Sequence, residues 1–146
     1  PENFHLSLRF IGDIDEGVAD DVDAALGVIA APSFSLEPRG AGVFGKTGRA
    51  RVLWAGIAPN PALSDLRDRV EAAVVRAGLA VETRRFSPHV TLARLKRAPA
   101  GRVEQFVVDH ADFRADPFPV TRFYLYSSLL SSTGAVYTRE AAYDLD

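Results

Sequence analysis

A pattern that occurs twice, at positions 84 residues apart, limits the possible fold of this chain more than any other feature of its sequence. The first copy is His5 followed two positions later by Ser7, and the second is His89 followed by Thr91. Helix-like and strand-like patterns around the two copies match at the same offset, although few residues are identical. Such a repeat indicates one structural unit used twice. The sequence therefore predicts two similar lobes.

The spacing of the apolar residues predicts helices and strands that are mixed along the chain but do not alternate one for one. Alternate apolar positions from Phe4 to Phe10 predict a half-buried strand that carries His5 and Ser7 on its other side. Helices are predicted near residues 16–30, 61–77 and 100–110, and further strands near 34–37, 41–44, 51–57, 79–82, 89–92, 120–127 and 136–143. This order favours an α+β fold. We expect two pseudo-symmetric lobes of mainly antiparallel sheet with outer helices, and one His-x-Ser/Thr strand from each lobe facing a central cleft.

The repeat also bears on the first residues of the sequence. A strand, a helix and a second strand are predicted before His89, whereas only four residues precede His5. By the logic of the repeat, about 30–40 residues containing a strand and a helix are expected upstream of Pro1. Residues 1–146 are accordingly predicted to form a single domain that lacks this N-terminal strand and helix.

The composition removes several classes of site. The chain contains no cysteine, which excludes disulfides, thiolate zinc sites and a cysteine nucleophile. Neither motif has Asp or Glu two or four positions after its histidine, so we expect no metal and no cofactor. No apolar run approaches the ~18 residues of a membrane span, which favours a cytoplasmic protein without membrane association.

The charges are unevenly distributed along the chain, although the net charge is only −2. Acidic residues are concentrated between Asp13 and Asp23. Basic residues, with no acid among them, are concentrated between Arg84 and Arg102. A small anionic substrate is one explanation of the basic run, and an ordinary solvated face is the other.

Strand geometry gives each motif a chemical meaning, because residues i and i+2 point to the same face of a strand. Each motif then presents an imidazole beside a hydroxyl that can donate a hydrogen bond to an anionic oxygen. Two such pairs facing each other suit a phosphodiester, with one imidazole taking a proton from water and the other protonating the departing oxygen. The residues alone leave open which histidine does which. Two structural histidines are the alternative.

With their flanks, the two motifs resemble the signature motifs of the 2H phosphoesterases, and in particular the branch of RNA 2′,3′-cyclic phosphodiesterases, often named 2′-5′ RNA ligases. The segments that carry the resemblance are NFHLSLRFIG at 3–12 and FSPHVTLAR at 86–94, together with 51–54 and 128–137. The resemblance implies metal-independent hydrolysis of a terminal 2′,3′-cyclic phosphate of RNA to a 2′-phosphomonoester. It implies His5 as the general acid, His89 as the general base, and phosphate contacts from Ser7, Thr91 and Arg94. Ser7 stands where the family more often has threonine.

Arg94 poses a geometric problem, because it lies five residues after His89 and a regular strand would turn it to the opposite face. A bulge, or the end of the strand, would be needed to re-aim it. Arg9 has the right parity relative to His5, but a solvent-facing strand arginine is the commoner outcome.

Other residues have ordinary explanations. His110 ends the third predicted helix, where a cation complements the helix dipole. Trp54, Phe86 and Tyr124 are expected to be core aromatics. Phe86, in the basic loop beside the second motif, is the best candidate among them to stack on a base.

Two functions remain as alternatives. One is the reverse reaction, which joins RNA ends through a 2′-5′ bond, and the other is a non-catalytic RNA-end-binding module. The expected partners are RNA 3′ ends or small cyclic-phosphate nucleotides, with no obligate protein partner and a monomeric state.

Overall fold

The computed structural model describes residues 3–46 and 48–146 and shows an α+β fold with antiparallel sheets, as predicted. The elements in chain order are α1 (Glu16–Gly27), β1 (Phe34–Leu36), β2 (Pro38–Lys46), β3 (Arg49–Ile57), α2 (Pro61–Arg76), β4 (His89–Arg94), α3 (Ala100–Asp109), β5 (Phe118–Val120), β6 (Arg122–Ser131) and β7 (Gly134–Asp144). Strands β2, β3 and β4 form one sheet in that order, β6 and β7 form a hairpin, and β1 pairs with β5.

The chain is divided into two compact units. The first comprises Pro1–Leu8, Ser35–Asn60 and Arg85–Phe118, and therefore contains β2, β3, β4 and α3. The second comprises Arg9–Phe34, Pro61–Arg84 and Pro119–Asp146, with α1, α2, β6 and β7. Both His motifs belong to the first unit, whereas the sequence repeat assigns one motif to each lobe.

The first unit is a three-stranded antiparallel sheet with α3 packed on β2 and β3. Val103 of α3 is buried there. The second motif lies on β4 of this sheet, and the first motif meets β4 at the bridge between Leu6 and Val90, so this unit positions the candidate site.

The second unit is built around the packing of α1 on α2. Helix α1 begins where the Asp15 side chain accepts a hydrogen bond from the Val18 N–H at 2.8 Å, which satisfies one free donor of the first turn. Val22 of α1, and Leu66 and Val74 of α2, are almost completely buried. Their spacing matches the apolar stripes of the sequence.

Two polar contacts brace this second unit. Arg9 donates from Nε to Glu71 Oε2 at 2.6 Å, and both side chains are largely buried. Burial opposes the ionised form of Glu71, but hydrogen bonds from Arg9 and from the Glu82 N–H hold its pKa below its ordinary value. Tyr143 donates its hydroxyl to Asp23 at 2.6 Å.

Two predicted strands do not form. Over 4–10 the structure has only an isolated antiparallel bridge between Leu6 and Val90, so the prediction of a full strand there is wrong. The strand predicted over 79–82 is also absent. Side chains form hydrogen bonds with the backbone groups that a neighbouring strand would otherwise use. Arg9 donates to the Ala80 carbonyl, and the Glu82 N–H donates to Glu71.

In the part of the chain that the structure describes, none of the helices combines the length and apolar character needed to cross a membrane.

Candidate active site

The bridge between Leu6 and Val90 sets the register of the two motifs against each other. In an antiparallel pairing, one step back on one segment meets one step forward on the other. Continuing this register places His5 opposite Thr91 and Ser7 opposite His89. All four side chains then point to the face opposite that of the bridge residues, because alternate residues share a face. Extended by one residue on each side of the bridge, this register puts both histidines and both hydroxyls together as a two-by-two array.

The two imidazoles are oriented in the same way by the backbone. His5 Nδ1 lies 2.6 Å from the Asn3 carbonyl oxygen, and His89 Nδ1 lies 2.7 Å from the Ser87 carbonyl oxygen. A carbonyl can only accept, so Nδ1 carries a proton in each ring and donates it. Proton exchange then falls to Nε2 in both rings, which accepts when the ring is neutral and donates when it is charged.

Aromatic rings hold the His89 imidazole from the side of β2 and β3. Phe44 meets it edge-on, with ring centroids 4.8 Å apart and planes at 85°. Trp54 lies 6.4 Å from the same imidazole and 5.5 Å from Phe44. We call Phe44 and Trp54 the aromatic wall. It restricts the ring plane of His89, whereas the Ser87 carbonyl restricts its rotation.

Glycines make room for the indole of Trp54. Gly42 is directly opposite Trp54 in the β2–β3 register. A β carbon at position 42 would lie only 2.3 Å from Trp54 Cζ2, and one at Gly56 would lie 3.3 Å from Trp54 Cζ3. The indole therefore lies close against the backbone, and its Nε1 is buried without a hydrogen-bond partner among the described residues.

A bulge in β4 returns Arg94 to the face of His89. Thr91 is opposite Trp54 and Arg94 is opposite Val52, so β4 uses one residue more than β3 over this stretch. Val52 and Trp54 share a face, and Arg94 therefore shares the face of Thr91. Because their partners are two residues apart, the backbones of Thr91 and Arg94 are separated by about 7 Å along the strand. The bulge that the sequence argument required is present.

The other candidates have structural contacts. Arg9 belongs to the second unit and is engaged by Glu71. His110 caps the end of α3, where it stacks on Phe106 at 4.2 Å and its Nδ1 lies 2.8 Å from the Phe106 carbonyl oxygen. Tyr124 lies under the Arg139 guanidinium at 3.9 Å. Over residues 3–46 and 48–146, no cluster of three His, Asp or Glu side chains could hold a metal ion.

The aromatic wall is the feature of the site that sequence reasoning missed. The sequence predicts Trp54 as a core aromatic. For Phe44 it predicts only that the residue belongs to a short strand. The sequence contains a weak signal. Gly42 and Phe44 are two positions apart on β2, so they share a face, as His89 and Thr91 do on β4. Only the register of the three strands shows that they share a face.

Comparisons with known proteins show which family this chain is similar to. A family model described as LigT like phosphoesterase matches residues 1–54 and 56–137. The RNA 2′,3′-cyclic phosphodiesterase of Aeropyrum pernix is 36% identical over 140 residues, which cover 93% of this chain and 78% of that protein. The protein of the same name from Thermotoga maritima is 34% identical over 138 residues, covering 93% of this chain and 72% of the relative.

Solved structures show the same fold. E. coli LigT in complex with 3′-AMP superposes with a TM-score of 0.76 at 27% identity, covering 99% of this chain and 78% of that one. A crystal structure of a protein from Thermus thermophilus gives a TM-score of 0.75 at 29% identity, covering 97% of this chain and 77% of that one.

Proposed function

The chain belongs to the LigT like phosphoesterase family, and on this premise we propose that it hydrolyses a terminal 2′,3′-cyclic phosphate of RNA to a 2′-phosphomonoester. It is then a phosphoric diester hydrolase, like its relatives named RNA 2′,3′-cyclic phosphodiesterase. One observation supports this most strongly. The bridge between Leu6 and Val90 brings the two motif segments side by side. Extended by one residue in each direction, its register puts two imidazoles and two hydroxyls on one face. A non-catalytic binder has no need of two such imidazoles.

The two histidines divide the proton transfers. His5 and His89 are diagonal neighbours in the array, a relation that separates backbones by about 7–8 Å and leaves room for one phosphate between the rings. Nε2 of His89 takes a proton from water as the water oxygen bonds to phosphorus. Nε2 of His5 gives its proton to the departing 3′ oxygen, and the phosphate stays on the 2′ oxygen. Each transfer contributes typically about 10²–10⁴ in rate.

The assignment of acid to His5 and base to His89 follows the family resemblance. The surroundings of the two rings are compatible with it. His5 is exposed, which suits a group that must regain a proton from solvent after each cycle. His89 is half-buried against the aromatic wall and is held in one tautomer by Ser87, which suits a base that must aim Nε2 at one water.

The hydroxyls and Arg94 bind the non-bridging oxygens of the phosphate in this proposal. In the extended register Ser7 is opposite His89 and Thr91 is opposite His5, which puts each hydroxyl beside an imidazole. Arg94 is exposed at the next position of the same face, within side-chain reach of a phosphate bound at Thr91. Donors fixed before the reaction stabilise charge as it develops in the transition state.

The substrates we propose are RNA 3′ ends and small cyclic-phosphate nucleotides. The crystal structure of the E. coli relative with 3′-AMP supports a ligand of nucleotide size in this family. All steps use side chains of this chain, so the reaction needs no metal ion.

Identifying the product tests the proposal. A short RNA with a 2′,3′-cyclic phosphate is incubated with the protein in EDTA, together with a second RNA that carries a 5′ hydroxyl. We expect an end with a 2′-phosphate, because about 55 M water outcompetes the second RNA unless the site binds it. His110→Ala is the matched control for His5→Ala and His89→Ala, since it removes a histidine outside the site. A 2′-5′ joined product would favour the reverse reaction, and an unchanged cyclic end would refute both.

A further inference from the structure

The small net charge of the chain conceals a separation of charge between the two units. The first unit, which carries both His motifs, contains ten Lys and Arg residues against six Asp and Glu residues. The second contains seven against thirteen. The site therefore belongs to a positively charged unit in a chain whose net charge is −2. An uneven distribution of this kind marks the part of a protein that meets a polyanion.

Within the first unit, cations from all three strands meet at one end of the sheet. Lys46 and Arg49 are the last pair between β2 and β3. The Leu95 N–H donates to the Arg51 carbonyl at 2.7 Å, which continues the contact between β3 and β4 past Arg94. We call this region the basic end, and its exposed cations are Lys46, Arg49, Arg51, Arg94, Lys96 and Arg97.

The cations of the basic end are not neutralised by neighbours. None of the six side chains has a carboxylate oxygen within the 4.0 Å of an ion pair among the described residues. Glu104 is the acid that lines the same shallow hollow as Lys46. Six arginines outside the basic end do pair with carboxylates among the described residues, namely Arg9, Arg39, Arg67, Arg69, Arg84 and Arg122. Cations left without counter-charges are available to phosphates.

The basic end is continuous with the candidate active site. Arg94 lies on the face of His89, and their partners on β3, Val52 and Gly56, are four positions apart, which corresponds to about 13 Å. Arg49 lies three residues beyond Val52 on the same strand, about 10 Å further. A polynucleotide that leaves the site in this direction meets the cations within its first few nucleotides.

We propose that the basic end binds the backbone phosphates upstream of the terminal nucleotide, so that the enzyme prefers an oligoribonucleotide to a cyclic mononucleotide. This inference rests on the proposed function and adds a substrate class to it. The contacts are to phosphates, so the preference for oligoribonucleotides should not depend on their base sequence. Each phosphate contact to a single strand adds about −0.7 to the slope of log affinity against log salt. With two or three contacts, raising salt fourfold lowers oligonucleotide affinity by about 7- to 18-fold.

The test compares two substrates and two pairs of charge reversals. The substrates are 2′,3′-cyclic AMP and a short oligoribonucleotide with the same cyclic end. The test variant is Lys46→Glu/Arg49→Glu, which leaves every residue of the proposed catalytic array intact. The control is Arg76→Glu/Arg114→Glu, the same change of charge at exposed positions outside the basic end that also have no ion pair among the described residues. We measure kcat/KM for both substrates across the salt range, and the affinity for an oligonucleotide ending in 2′-phosphate by fluorescence anisotropy.

We expect the test variant to lose at least tenfold in oligonucleotide kcat/KM and affinity at low salt, with a flatter salt dependence. Its activity on 2′,3′-cyclic AMP should be unchanged, and the control should behave as wild type. An unaltered oligonucleotide preference, or an equal loss in the control, would overturn the inference. If wild type hydrolyses neither substrate, the proposed function fails while anisotropy still decides on the basic end. Lys46→Gln/Arg49→Gln serves the same test if the reversal impairs folding.

Discussion

Replacing Gly42 with alanine tests whether the aromatic wall holds His89 in position. The added β carbon would lie 2.3, 2.4 and 2.8 Å from Trp54 Cζ2, Cη2 and Cε2. Non-bonded carbons approach to about 3.5–4.0 Å, so the indole must move by about 1 Å or more. Trp54 packs against Phe44, and Phe44 meets the His89 ring at 4.8 Å. The displacement is therefore passed to the imidazole.

Two effects of different size follow from this displacement. Overpacking a fitted site costs about 1–3 kcal/mol of folding free energy, which for a chain of this length lowers Tm by roughly 2–12 °C. Misplacing a catalytic group by about 1 Å can lower the rate by about 10². We expect kcat to fall by about 10- to 100-fold at temperatures where the variant is fully folded.

The assay measures kcat, KM and Tm of Gly42→Ala beside those of Gly101→Ala. A β carbon at Gly101, in α3 of the same unit, meets nothing within 4 Å, so this control should keep activity and gain slightly in stability. In a Trp54→Leu background the obstructing ring is gone, and Gly42→Ala should add little further loss. Wild-type kcat in Gly42→Ala, or the same loss with and without Trp54, would refute the reasoning.

Three further predictions concern the hydroxyls and the two contacts that brace the second unit. Ser7→Ala and Thr91→Ala should each lower kcat/KM less than loss of either site histidine, because they stabilise the phosphate without transferring a proton; a folded hydroxyl variant as inactive as a histidine variant would contradict this. Glu71→Gln should cost about 1–3 kcal/mol in urea unfolding at neutral pH, because it leaves Arg9 without its anionic partner. The lowered pKa of Glu71 stabilises the fold above its ordinary value of 4.5 and ceases to do so as pH falls, so wild type should lose more stability in acid than the variant does. Burial and a hydrogen-bonded carboxylate raise the pKa of Tyr143 above its ordinary value of 10.0, so wild type should lose stability above that pH. Tyr143→Phe should be about 1–2 kcal/mol less stable than wild type below that pH. The variant should not show the further loss above it.

Local patterns predicted the helices well. The Asn60-Pro61 start and the Gly78 end of the second helix agree with the observed bounds, Pro61–Arg76, within two residues. Helix ends are set by neighbouring residues, and these are visible in the sequence. The strand predicted at 79–82 failed for the opposite reason. Its backbone groups are taken by Arg9 and Glu71, and no local pattern shows side chains that reach from elsewhere in the chain.

The sequence predicts those features of the candidate site that depend only on which residues of one strand share a face. Alternation put His89 beside Thr91, and the conflict at Arg94 was recognised as needing a bulge. The bulge itself depends on how β4 pairs with Val52 and Trp54 of a strand about 40 residues away. The contact of Phe44 with His89 depends in addition on the β2–β3 register. Neither register can be predicted from one segment of the sequence, because each depends on how two separate strands pair.

The most direct test of the central claim is the pH dependence of kcat/KM in wild type, His5→Ala and His89→Ala. One imidazole must be neutral to act as base while the other is charged to act as acid, so we expect a bell-shaped profile whose limbs belong to the coupled pair. His5→Ala should lose the alkaline limb and His89→Ala the acidic limb, with EDTA changing neither. A variant that keeps both limbs, or a rate that collapses with EDTA and returns with a divalent metal, would contradict catalysis by these two histidines.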